Sequence, residues 1–122
     1  MKIVDLIFGW LLVVGSLLHA VGSFAAYKNM PAKLLLWSLS GTLAGLLLAS
    51  LNLLRAVRPG DSALAWVSFS GCLGWIVMAL SFGKVSGNVL DIRALTHAIN
   101  AAVLAAMSLR TAVGGKSVNR SR

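Results

Sequence analysis

Long apolar stretches alternate with short polar punctuation along this chain. Residues 6–26, 34–54 and 62–83 each run about 21 residues without a formally charged side chain. At ~1.5 Å per helical residue, each is enough to cross a ~30 Å hydrocarbon core. Residues 94–109 form a shorter fourth stretch between Arg93 and Arg110, whose stems can snorkel to an interface. The pattern predicts an all-α fold: an integral membrane four-helix bundle, up-down-up-down because every loop is short. The expected spans are about 5–26, 33–55, 62–83 and 91–111. They make residues 1–113 a single four-span bundle and leave 114–122 as a polar basic tail.

The punctuation supports those bounds. Pro31 disfavours helix at Met30 and suits the first turn of the next helix. Pro59-Gly60 is a turn signal, after which Asp61 or Ser62 can cap helix 3; Asp91 is the candidate cap of helix 4. Gly114-Gly115 is expected to stop helix 4. The first apolar run follows Lys2 and resembles a signal sequence, but about 20 residues exceeds a signal h-region, so it is read as a retained span.

In lipid, helices associate through close packing and interhelical hydrogen bonds, so small and polar residues mark the inward faces. At helical spacing these are Gly9, Leu12, Ser16, His19, Ser23 and Ala26 in helix 1. Helix 2 offers Ser38, Gly41, Gly45, Ala49 and Asn52. Helix 3 offers Ser70, Gly71, Gly74, Met78 and Ser81; helix 4 offers Arg93, His97, Asn100, Leu104 and Ser108. Ser16, Gly41, Gly45, Gly71, Gly74 and Asn100 are the expected helix-packing residues. The Gly41-xxx-Gly45 face serves equally a neighbour in this chain or a helix of another.

Composition narrows the class. Of 122 residues 58% are hydrophobic and 11% charged, which leaves no room for a soluble catalytic domain beside four spans. The net charge of +8 would suggest nucleic acid in a soluble protein. Here the basic residues sit at helix ends and in the tail, so the expected partners are the bilayer and anionic lipid headgroups, with no nucleic acid. Lys2, Arg55, Arg58, Arg110, Lys116, Arg120 and Arg122 fall on one side, and Lys28, Lys33, Lys84 and Arg93 on the other. By the positive-inside rule both termini are cytoplasmic. Tyr27 and Trp37 would mark the outer interface and Trp66 the inner one. His-Ala-Val-Gly-Ser in helix 1 and Leu-Asn-Leu-Leu-Arg closing helix 2 have the look of small bacterial membrane proteins. The expected location is therefore a bacterial inner (plasma) membrane.

The candidate chemistry is sparse. The three acids, Asp5, Asp61 and Asp91, all lie at expected helix ends. Small multidrug transporters share this size and span count but need an embedded carboxylate in the first helix, which this chain lacks. Cys72, the single cysteine, reads as a small packing residue. His19 and His97 are the only histidines, each about six or seven residues below the outer rim, so ~9–11 Å deep. One depth on two helices suits axial ligation of one haem b, with Gly15 and Gly22 making room and Arg93 pairing with propionates. The same residues suit a polar network between helices or a proton relay. Zinc is not expected, since structural sites take four ligands and catalytic sites three. The reading is a non-enzymatic accessory, assembly or oligomeric subunit, alone as a homo-oligomer or within a larger membrane complex. The alternatives are a haem-binding electron-transfer or haem-handling protein, and a small ion or metabolite transporter.

Overall fold

A computed structural model describes residues 2–88 and 90–118, and these residues fold into four helices without a strand. They are α1 (Lys2–Tyr27), α2 (Ala32–Val57), α3 (Ser62–Val85) and α4 (Ile92–Val118). All four are long and apolar enough to cross a membrane. Of the expected basic tail, Arg120 and Arg122 and the side chain of Lys116 lie outside the described residues.

Local chemistry sets the boundaries. After α1 a turn closes with Met30 N–H on the Tyr27 carbonyl at 3.0 Å, and Pro31 holds extended backbone before α2 begins. Asp61 caps α3 by accepting from the Leu64 N–H at 2.9 Å. Gly87 takes φ of 77°, a left-handed conformation favoured by glycine, in the turn that ends α3. Asp91 caps α4, accepting from the Arg93 N–H at 2.9 Å. Helix α4 then runs on to Val118, past the expected stop near residue 111 and through Gly114-Gly115. A helical glycine costs only ~1 kcal/mol, and the turn before the pair is anchored. Ser62 donates to the Ala112 carbonyl at 3.1 Å, and Arg55 donates to Thr111 at 3.2 Å.

Helix α1 packs most extensively on α2, and α3 on α4; narrower seams join α1 to α4 and α2 to α3. Along the α1–α2 seam Asp5 meets Arg55, Ser16 meets Gly45, His19 meets Thr42 and Ser23 meets Ser38. Partners fall along α2 as they rise along α1. The core consists of Leu12, Leu48, Ala49, Cys72, Ala101, Leu104 and Ala105, with Phe8, Phe69, Trp75 and Ile76 packed against it. Large apolar side chains cover the outside, Trp10, Leu18, Val21, Leu36, Trp37 and Val77 among them. In water such a surface would be strongly unfavourable.

The inward faces differ from the expected stripes in three helices. In α1 Gly9, Leu12, Ser16 and Ser23 are buried, but His19 and Ala26 are exposed, because α2 covers only part of that face. In α3 Ala65, Ser68 and Cys72 are buried, whereas Ser70, Gly74, Met78 and Ser81 point outward. Small residues surround α3 on every side, so their distribution gives it no direction. In α4 the buried line is Ala94, Ala98, Ala101, Ala105 and Ala112, next to the expected one, and it shares Leu104 and Ser108 with it. Alanine lets α4 approach α3 closely without demanding a polar partner.

Candidate functional site

Three polar groupings lie within the helices. The first is a ladder between α1 and α2. Ser16, His19 and Ser23 recur at three- and four-residue spacing, so one face of α1 carries all three. Ser23 donates to the His19 carbonyl at 2.7 Å and also pairs with Ser38 at 2.6 Å. With its one proton on the carbonyl, Ser23 receives the proton of Ser38. His19 Nδ1 lies 2.9 Å from the Thr42 hydroxyl. Ser16 donates back to the Leu12 carbonyl at 2.8 Å. Two glycines of α2 make room for this ladder. A methyl on Gly45 would press into Ser16 Oγ and come 3.1 Å from the Trp75 ring; one on Gly41 would meet His19 in ordinary contact.

The second grouping surrounds His97 on the α1–α4 seam. Its ring rests on Gly15, whose added methyl would lie 3.0 Å from His97 Cε1. Trp75 of α3 stands edge-on, with ring centroids 5.8 Å apart. One helical turn further on, the Asn100 amide, oriented with its NH2 toward α1, donates to the Phe8 carbonyl at 3.1 Å. A groove of about 300 Å³ opens here, lined by Phe8, Leu11, Gly15, Thr96, His97, Ile99 and Asn100. Among the described residues no protein group bonds either ring nitrogen of His97.

Of the other expected site residues, Gly71 packs against Leu48, whereas Gly22 and Gly74 have open space where a side chain would be. Arg93 grips Asp91 through Nη2 at 2.6 Å and Nε at 3.0 Å. That fork holds the Asp91 carboxyl at about 2, well below the usual carboxylate range. His19 leans on α2 at Thr42, and His97 lies against Gly15 beside Trp75.

The third grouping escapes a reading of the chain alone. Arg55 is 1% exposed, yet it carries a charge. Its Nη2 donates to Asp5 at 2.6 Å and its Nη1 to Thr111 at 3.2 Å, which joins α1, α2 and α4. One turn deeper lies Asn52, fully buried. It donates to the Leu48 carbonyl at 3.0 Å and to Cys72 Sγ at 3.4 Å, and it accepts from Ser108 at 3.2 Å. These bonds bring α3 into the same network. The signal was the matched three-residue spacing of Asn52–Arg55 and Ser108–Thr111, facing the one acid of α1. Arg55 Nε, Ser68 Oγ and Trp75 Nε1 are buried without a partner among the described residues.

Among the described residues no three His, Cys, Asp or Glu side chains converge as metal ligands. Compared with known proteins, the chain matches no family model, no curated protein and no solved structure.

Proposed function

We propose that the chain is an integral membrane protein, its helices up-down-up-down with both termini cytoplasmic, acting as a non-enzymatic subunit through association in the bilayer. Its partners are further copies of itself or a larger membrane complex. One observation carries the reading: most polar side chains inside the helices are consumed by other groups of the same chain. Asp5 with Arg55, Asn52 with Ser108, His19 with Thr42 and Ser23 with Ser38 are interhelical ties. Such ties are what helices in hydrocarbon use to hold together. The outward faces are apolar and include Gly22 and Gly74, where another helix can come close.

The topology rests on Lys2, Arg58, Arg110 and the basic tail on one side against Lys28, Lys33, Lys84 and Arg93 on the other. Reporter fusions at Met30, Pro59, Val85 and the C-terminus are expected to read out, in, out, in. The role is tested by mild extraction into nanodiscs or gentle detergent, followed by native mass measurement. Masses above one chain are expected. A strictly monomeric protein under every mild condition overturns the association reading.

Haem binding between His19 and His97 is the sharper alternative, and the packing argues against it. His97 lies directly on α1 at Gly15, so no macrocycle-wide gap separates its ring from that helix. Arg93 is already committed to Asp91. An absorption spectrum of protein from haem-replete cells decides: a Soret band lost in His19→Ala or His97→Ala would restore the haem reading. The transporter alternative has no mid-depth carboxylate to use, since Asp5 and Asp91 are paired with arginines and Asp61 caps α3.

A further inference from the structure

We propose that the groove at His97 binds the ring head of a lipid-soluble quinone or quinol, its tail remaining in the bilayer. The argument starts from an imidazole without a partner. His19 has Thr42, the Asn100 amide has the Phe8 carbonyl, and Thr96 donates to its own helix at the Ile92 carbonyl, 2.8 Å away. His97 alone among the polar side chains of the groove offers an unused N–H and an unused lone pair. At hydrocarbon depth no water satisfies them, and leaving them empty is costly.

The position restricts what can satisfy them. The groove opens between Leu11 and Ile99, which are 50% and 61% exposed, so in a membrane its mouth faces lipid. An occupant must arrive through the bilayer. His97 stands six residues past Asp91, ~9 Å below the helix start. Phospholipid polar groups lie outside the hydrocarbon core, so an acyl chain brings no hydrogen-bonding atom to this level. A quinone ring brings one, and its tail stays in hydrocarbon. A volume of about 300 Å³ is at the small end for ligand sites and suits a single ring with Phe8 along its wall. A neutral imidazole both donates and accepts, so it serves the carbonyl of a quinone and the hydroxyl of a quinol.

Trp75, 5.8 Å from His97 between ring centroids, supplies a reporter, because quinones quench indole fluorescence. Decylubiquinone is titrated into the full chain in nanodiscs, with circular dichroism confirming the fold of each variant. The expected result is saturable quenching that approaches one ring per chain. His97→Leu is expected to weaken it about tenfold, the loss of one hydrogen bond made in an apolar site. His97→Gln, which keeps a donor and an acceptor, recovers part of the loss. Thr96→Phe blocks the groove from an exposed position and weakens binding without touching the imidazole. His19→Ala leaves it unchanged. Quenching that rises linearly with quinone in the wild type, as partitioning into lipid would give, overturns the proposal. So does equal saturable binding in His97→Leu and Thr96→Phe.

Discussion

Two regions of the bundle treat polar side chains in opposite ways. At the Asp5 end, charge and amide groups are buried and bonded across all four helices: Asp5, Arg55 and Thr111, then Asn52, Ser108 and Cys72. Around His97 the seam is open, and an imidazole is left unpaired beside a groove. The first arrangement uses polarity to fix helix positions. The second leaves hydrogen-bonding capacity over. A polar residue in an apolar helix therefore carries no single meaning; whether its atoms are already spent decides between a tie and a site.

The largest effect should come from breaking the charged tie. Arg55→Met leaves the Asp5 carboxylate buried without its partner, and a broken buried pair typically costs ~3–5 kcal/mol. Unfolding by SDS titration in mixed micelles measures it. The double variant Asp5→Leu with Arg55→Met should recover most of the loss, because neither charge then remains. If both variants unfold alike, the pair is not what holds this end.

Next come the glycines, which contrast a filled seam with an open face. Gly45→Ala drives a methyl into Ser16 and against Trp75, and such overpacking typically costs ~1–3 kcal/mol. Gly74→Ala meets nothing and should be neutral or stabilising by up to ~1 kcal/mol through helix propensity. The same unfolding assay ranks them. Equal losses would mean that α3 buries Gly74 in the isolated protein.

A smaller effect belongs to the hydroxyl ladder. A double-mutant cycle of Ser23→Ala with Ser38→Ala should return a coupling of ~0.6 kcal/mol, the usual size for an interhelical hydrogen bond in a membrane protein. Zero coupling would leave α1 and α2 held by close packing alone.

How far these features could be read from the chain depends on what each needed. The α1 stripe was legible in part: Gly9, Leu12, Ser16 and Ser23 are buried, whereas His19 and Ala26, at the same spacing, are exposed. The α3 face was not legible. Its serines and glycines encircle the helix, and contacts from other helices pick the inward side, Asn52 on Cys72 and Leu48 on Gly71. Asp5 and Arg55 each read only as a charge at a helix end, and only the register of α1 against α2 reveals them as partners. The candidate groove needed more still, since the rest of His97 on Gly15 depends on how two seams close together. Pattern within a helix is local information; partnership between helices is not.

The smallest effect lies at the rim, where a salt bridge faces outward and can be titrated. Asp91 caps α4 and is gripped by Arg93, and its carboxyl is held down from the ordinary 3.8 to about 2. A carboxylate depressed in the folded state stabilises the fold above its unfolded value and loses that contribution as pH falls through the folded one. The start of α4 should therefore be indifferent to pH above about 4 and weaken between about 4 and 2. A carboxyl-carbon NMR titration of Asp91 should show its midpoint near 2, and in Arg93→Ala the midpoint should rise toward 3.8. The Arg93 side chain is 75% exposed, so the cap should outlast its removal at neutral pH, with the Arg93 amide still protected by the Asp91 carboxylate. A midpoint that stays near 2 without the guanidinium would assign the depression to the helix N-terminus alone, whose positive end also favours an anion.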